Sequence, residues 1–343
     1  MSNFIQNSQK LIEALKSEPA FRLKQCRRAM YSEFIDSWEQ AKNLPNNLRE
    51  KLSKDVPLSI NGKLFESKNK ATIKALLTLE DGEKIETVLM RHKDGRNTVC
   101  VSSQAGCGMK CDFCATGQLG LRRNLFVDEI IDQALFFARY LKGEKQRVSN
   151  VVFMGMGEPM LNFENVMEVV KILNDDEGFN IGARRISIST CGIAPGIKKL
   201  ERVPLQLNLA ISLHAANDQL RDRLMPVNKS CDINKLMNAL KNYIQNTNRK
   251  VMIEYVLLGG VNDSVNAAKE LADLLKSRLK TLFMVNLIKY NETGRYRSPD
   301  HKSILNFKRV LENKGVEVSL RYRFGHDIKG ACGQLTAQDA KRD

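Results

Sequence analysis

The segment "CGMKCDFC" places three cysteines, Cys107, Cys111 and Cys114, in a C-x3-C-x2-C spacing. Three thiolates are one short of a closed structural zinc site and the wrong parity for a disulfide framework. They suit a [4Fe–4S] cluster, which normally takes four thiolates and, held by three, keeps one iron open for another molecule. Two other readings stand beside it: a zinc site closed by a distant ligand such as His214 or His326, and three unrelated core cysteines. Neither histidine belongs to a paired zinc-type spacing, which weighs against the zinc site. Further polar groups recur in short segments. "GMGEP" ends an apolar run, with Gly157 allowing close backbone approach and Glu158 able to accept from an amino group. Ser189 in "SIST", Ser212-Leu213-His214 in "SLHA" and Asn291 in "KYNE" add hydrogen-bonding groups, whereas Met154 and Met156 read as core packing.

These segments must be positioned by the elements around them. From residue 97 onward, apolar strands such as "NVVFMGMGEP", "RRISIST", "LNLAISLH" and "KVMIEYVLL" alternate with amphipathic helical segments. That rhythm implies parallel strands with crossover helices. The predicted fold class is α/β, a partial (β/α) barrel, in which sites gather at the C-terminal ends of the strands. The cysteine loop, "GMGEP", "SLHA" and "KYNE" all fall at such ends. No GxGxxG or GxxxxGK[ST] segment supports a dinucleotide or P-loop site. Ahead of the barrel, residues 8 to about 55 read as short helices, with Leu11, Ile12, Leu15, Met30, Phe34 and Trp38 at helical spacing. A β-hairpin turning at Asp81-Gly82 follows. The predicted division is a small accessory region over 1–95, a barrel core over 96–300, and a C-terminal helix, strand and loop over 301–343.

Hydrophobic and charged contents of 43% and 27% are those of a globular chain. No apolar run approaches the roughly 18 residues of a membrane span, and the N-terminus lacks a signal-peptide core, so a cytoplasmic location is expected. There the eight cysteines would be reduced, favouring metal or redox chemistry over disulfide stapling. A formal net charge of +15 points to a polyanionic partner, and nucleic acid is the natural one. Sparse aromatics argue against a single-strand binder built on stacking platforms. A non-catalytic RNA-binding module with a structural metal is the alternative from another functional class.

The C-x3-C-x2-C loop after a first barrel strand resembles the signature of the radical S-adenosylmethionine (SAM) superfamily. Within it, the sequence resembles the RlmN/Cfr adenine methyltransferases over nearly its whole length. The likeness rests on "CVSSQAGCGMKCDFCATGQLGLRRNL", "FMGMGEPMLN", "SLHAANDQLRDRLMPVN", "GVNDS", "VNLIKYN" and "DIKGACGQL". It departs from the family pattern at Gly330, where an alanine is usual.

The resemblance implies a [4Fe–4S] cluster on Cys107, Cys111 and Cys114, with SAM held by Gly157, Glu158, Ser189, Ser212, Leu213, His214 and Asn291. It implies that Cys332 accepts a methyl group from a first SAM, and that a radical from a second SAM activates this group to add to adenine. Cys100 would then release the product through a transient disulfide with Cys332. Glu86, which by residue type alone reads as a solvated hairpin charge, would be the general base of the C2-methylating branch. Cys26 and Cys231 read as structural, and Cys191 as packing near the SAM pocket. The implied substrate is 23S rRNA, with tRNA as a further substrate in some members. An electron donor such as flavodoxin or ferredoxin, a monomeric state and no membrane partner complete the expectation. "GEP" favours the C2 branch over the Cfr-type C8 branch, which confers antibiotic resistance.

Overall fold

The computed structural model describes residues 7–322 and 324–337. Helices α1 (Asn7–Ala14), α2 (Phe21–Tyr31) and α3 (Asn46–Asp55) form an N-terminal layer. Trp38 anchors it, fully buried, with its indole N–H donating to the Val56 carbonyl at 2.7 Å. Helical spacing carried Phe34 and Trp38 onto the helix of Met30. The chain instead leaves α2 at Tyr31, and Phe34 turns into the left-handed region (φ 52°) to meet the Phe179 ring at 5.1 Å. Tertiary packing of one aromatic side chain overrides the helical period there.

The hairpin strands are β2 (Thr72–Thr78) and β3 (Lys84–Arg91), preceded by β1 (Gly62–Glu66). β1 is mostly exposed, so it carries no apolar alternation by which to find it. β3 pairs antiparallel with β4 (Asn97–Cys100), placing Val88 opposite Cys100. The hairpin therefore extends the same sheet as the barrel strands.

After β4 comes a two-stranded antiparallel ribbon, β5 (Gln104–Cys107) and β6 (Gly120–Asn124), with α4 (Ala115–Gln118) between them. The remaining strands are β7 (Asn150–Phe153), β8 (Ile186–Thr190), β9 (Asn208–Ser212), β10 (Val251–Leu257), β11 (Phe283–Lys289) and β12 (Val318–Leu320). The linking helices are α5 (Val127–Gly143), α6 (Phe163–Asn174), α7 (Ala194–Glu201), α8 (Asp218–Leu224), α9 (Ile233–Thr247), α10 (Val265–Arg278) and α11 (His301–Asn313). Side-chain caps start the last three, with Asp232, Ser264 and Asp300 each accepting a backbone N–H three residues on.

The sheet order is β1-β2-β3-β4-β7-β8-β9-β10-β11-β12, and every pair from β4 to β12 is parallel. From β4 onward the order follows the chain without reversal, so there is no switch point of the doubly wound kind. Among the described residues β1 and β12 are the sheet's edges, and the barrel is partial. This is the α/β partial barrel that the sequence predicted. No helix among the described residues is long and apolar enough to cross a membrane.

Candidate active site

The cysteine loop leaves β5 at Cys107 and returns through α4, so Cys111 and Cys114 lie on the connecting turn. All three cysteines line one cavity at the C-terminal ends of the parallel strands. Burial pushes the Cys107 thiol up to about 11, and neighbouring Cys114 adds to the effect. Cys111 is raised further, by burial first and then by Cys114 and Cys107. Two buried thiols that resist ionising, with Cys114 beside them, are a donor set that iron's positive charge would complete. No group of three His, Cys, Asp or Glu among the described residues converges on a single metal position. An iron–sulfur cube asks for a different arrangement, each thiolate on its own iron, and three cysteines around one cavity fit it. His214 lines the same cavity, whereas His326 is exposed on a short turn.

The cavity has a volume of about 150 Å³. Gly157, Glu158, Ser189, Ser212, His214 and Asn291 all line it. Leu213 does not; its side chain is fully buried, and its backbone N–H donates to the Glu254 carbonyl. Gly157 is required where it stands, because φ is +98° and a Cβ would lie 2.5 Å from that of Gln104. The Glu158 carboxylate is buried and raised in pKa mainly by that burial. Its two oxygens accept the N–H groups of Met160 at 3.0 Å and Cys191 at 2.8 Å. It thereby fixes the turn after β7 against the end of β8. His214 sits in the left-handed region (φ 58°), and its Nδ1 accepts the Val256 N–H at 3.0 Å. Burial, reinforced by the Arg221 charge, pushes its pKa down to about 3. The ring is therefore neutral, with Nε2 as its donor.

Arg221, which drew no notice in the sequence, organises this wall. It is fully buried in α8, and its guanidinium donates to the carbonyls of Cys191 (2.6 Å) and Leu213 (3.2 Å) and to the Asn228 side chain (2.7 Å). Cys191 lines the cavity beside Glu158, and Cys26 and Cys231 are buried elsewhere.

A second cavity adjoins the first, with Cys332, Arg321, Met154, Ile288, Asn291 and Leu335 lining both. Cys100 lines only the second. Burial pushes the Cys100 thiol up to about 12, with Cys332 adding and Arg321 opposing. Cys332 retains accessible surface, which opens into the two cavities. Desolvation is nonetheless the largest influence raising its thiol, and Arg321 again opposes. By residue type Arg321 is an ordinary surface cation. The structure turns it inward, where it donates to the Met154 sulfur at 3.4 Å and pairs with buried Glu254 at 3.6 Å. Met154 is thus part of the cavity wall, while Met156 is core packing. Only register, not residue type, could have revealed Arg321 and Glu254.

The Cys332 segment is tied down from three sides. Asn291 donates to the Cys332 carbonyl at 3.1 Å, Ala115 N–H to Gly333 at 2.9 Å, and the Thr116 hydroxyl to Leu335 at 2.7 Å. The Cys332 loop is thereby stitched to the cysteine loop. Glu86 departs from its reading as a solvated charge: it is fully buried and lines neither cavity. The C-terminal segment packs across it, with the N–H groups of Thr336 and Ala337 on its Oε2 at 2.7 and 3.1 Å.

Comparison with known proteins agrees with this geometry. Residues 101–292 match the radical SAM superfamily. A Dictyoglomus thermophilum protein described as a "Probable dual-specificity RNA methyltransferase RlmN" is 44% identical over 322 residues, 93% of this chain and 91% of that protein. A Bacillus pumilus protein of the same description is 45% identical over 332 residues, 96% and 91% of the two chains. The crystal structure of a radical SAM methyltransferase from Sphaerobacter thermophilus superposes with a TM-score of 0.91 at 41% identity, covering 97% of this chain and 98% of that one. The chain belongs to the RlmN-type family of radical SAM RNA methyltransferases, enzymes that work with SAM and a [4Fe–4S] cluster.

Proposed function

We propose that the enzyme methylates C2 of an adenine in 23S rRNA, and an adenine of tRNA as well, by way of a methyl group carried on Cys332. The observation that carries this reading is the position of Cys332, the one cysteine among the described residues that lines both cavities. In one it meets the three loop cysteines and the polar strand ends; in the other it meets Cys100. The cluster and two SAM molecules per turnover, when bound, supply a methyl cation equivalent, an electron and a radical that abstracts hydrogen. The chain's residues do the rest. Cys107, Cys111 and Cys114 hold the cluster, while Gly157, Glu158, Ser189, Ser212, His214 and Asn291 orient SAM. Leu213 supports that wall from behind.

Cys332 acts as nucleophile toward the first methyl group, and Arg321 favours its thiolate. After the carbon has joined the adenine ring, Glu86 takes the proton from C2, and the unpaired electron left in the ring would return to the cluster that supplied it. Cys100 then attacks the Cys332 sulfur. The sulfur–carbon bond breaks, its electron pair stays with carbon, and carbon takes up a proton as the product methyl. A Cys100–Cys332 disulfide remains and needs two electrons before the next round. A flavodoxin or ferredoxin is a suitable source of electrons for the cluster. The dual specificity in the relatives' description supports two RNA substrates, and the net charge of +15 supports a polyanionic one. A monomer acting in the cytoplasm meets these requirements.

Reaction with 23S rRNA, followed by nuclease digestion and mass spectrometry, should give 2-methyladenosine and an S-methyl mark on the Cys332 peptide. Exclusive 8-methyladenosine would assign the Cfr-type reaction instead. Absence of the S-methyl mark would remove Cys332 as carrier.

A further inference from the structure

Glu86 is held by more than the C-terminal segment. Its Oε1 lies 2.6 Å from the ammonium of Lys74, and the two side chains are 0% and 2% exposed. The strand register explains the meeting. Leu76 stands directly across from Glu86, so Lys74, two residues along β2, is its diagonal neighbour on the same face. Phe65 of β1 lies directly opposite Lys74, and its ring stands 5.2 Å from the ammonium. Lys74 therefore sits in the middle strand of three, between an aromatic ring and a carboxylate.

A sealed ion pair is a poor device for stability, since apolar residues of similar volume would serve as well. Its presence calls for a use of the charge. The two carboxylate oxygens are held differently. Oε1 is fixed inside the sheet by Lys74. Oε2 is covered by the backbone of Thr336 and Ala337, immediately after Leu335, which lines both cavities. Only the covering of Oε2 can be withdrawn without breaking strand pairing.

We propose that Lys74 is the positioning residue of Glu86: it holds Oε1 and the negative charge, and leaves Oε2 to receive the adenine proton once residues 335–337 shift aside. This rests on Glu86 being the base. In that step the ring C–H bond breaks, its electron pair stays in the ring, and the O–H bond forms on Oε2. Without a cation beside it, a carboxyl group closed off from water takes up a proton and ceases to be a base. Lys74 acts through Glu86 and touches no substrate.

The test uses the anaerobically reconstituted holoenzyme with transcribed 23S rRNA, comparing wild type, Glu86→Gln, Lys74→Met and the double variant. 5′-Deoxyadenosine, the covalent protein–RNA adduct and methylated adenosine are measured from pH 6.5 to 9.5. Lys74→Met should still form 5′-deoxyadenosine and accumulate adduct. Its product formation at pH 7 should fall about 100-fold, the scale of lost general-base catalysis, and recover as pH rises. The double variant should match Glu86→Gln at every step. Should Glu86→Gln trap adduct while Lys74→Met turns over with the wild-type pH profile, Lys74 is excluded and Glu86 stands. Turnover by Glu86→Gln at the wild-type rate overturns both assignments. If Lys74→Met does not fold, the double variant decides, since removing both charges spares the core an unpaired ion. Loss of 5′-deoxyadenosine formation in the double variant, beyond that of Glu86→Gln, would mark Lys74 as merely structural and overturn the proposal.

Discussion

Replacing Arg221 by leucine should weaken both the fold and the cofactor pocket. The guanidinium is fully buried and donates to Cys191 (2.6 Å), Asn228 (2.7 Å), Leu213 (3.2 Å), Cys231 (3.3 Å) and Ser212 (3.4 Å). Charged donors contribute roughly 1.5–3 kcal/mol per hydrogen bond, and the acceptors left behind are shut away from water. Counting only the two shortest contacts, and allowing for the apolar area that leucine restores, the net loss is about 3–5 kcal/mol. For a chain of this size that corresponds to a fall in Tm of roughly 4–7 °C. The damage is local to the site, because Cys191 and Ser212, at the ends of β8 and β9, line the first cavity, the proposed SAM site. Thermal unfolding and equilibrium SAM binding, both on anaerobic reconstituted protein, should decline together. A loss below about 1 kcal/mol, the range of an ordinary surface substitution, with unchanged SAM affinity, would refute the assignment of Arg221 as the pin of this wall.

Other perturbations separate the remaining parts of the site. Gly157→Ala puts a Cβ 2.5 Å from Gln104 at φ +98°, so SAM affinity should fall at least tenfold with a stability loss of about 2 kcal/mol; calorimetric titration reads the first and denaturant unfolding the second. His214 is neutral when folded, with its pKa pushed down to about 3 from 6.5. The unfolded chain therefore takes the proton first, and stability present above pH 6.5 is lost as pH falls toward 3. Denaturant unfolding at pH 6.5 and 5 should show wild type losing about 2 kcal/mol more over that interval than His214→Asn. Cys100→Ala should accumulate a covalent protein–RNA adduct through Cys332, visible as a nuclease-sensitive shift on denaturing gels. Free RNA with full turnover in that variant would remove Cys100 from the release step.

The amino-acid sequence alone determined the things that depend on local order. Apolar runs alternating with amphipathic helices specify a parallel sheet whatever the details of packing, and Cys107, Cys111 and Cys114 stay within about 25 Å of one another because seven residues of chain reach no further. The strand-end segments could be found for the same reason: a loop that follows a barrel strand must open at one end of the barrel. Tertiary structure decided what depends on register and long-range contact. Arg221 and Arg321 look like surface cations until α8 and β12 turn them inward, where backbone carbonyls or a buried glutamate compensate their desolvation. Cys332 reaches both cavities only because Asn291, Ala115 and Thr116 draw its loop onto the cysteine loop from more than 200 residues away in the last two cases. Glu86 is the sharpest instance. A carboxylate on a hairpin belongs in water unless something covers it, and its cover comes from Lys74 across one strand pair and from Thr336 and Ala337 at the far end of the chain.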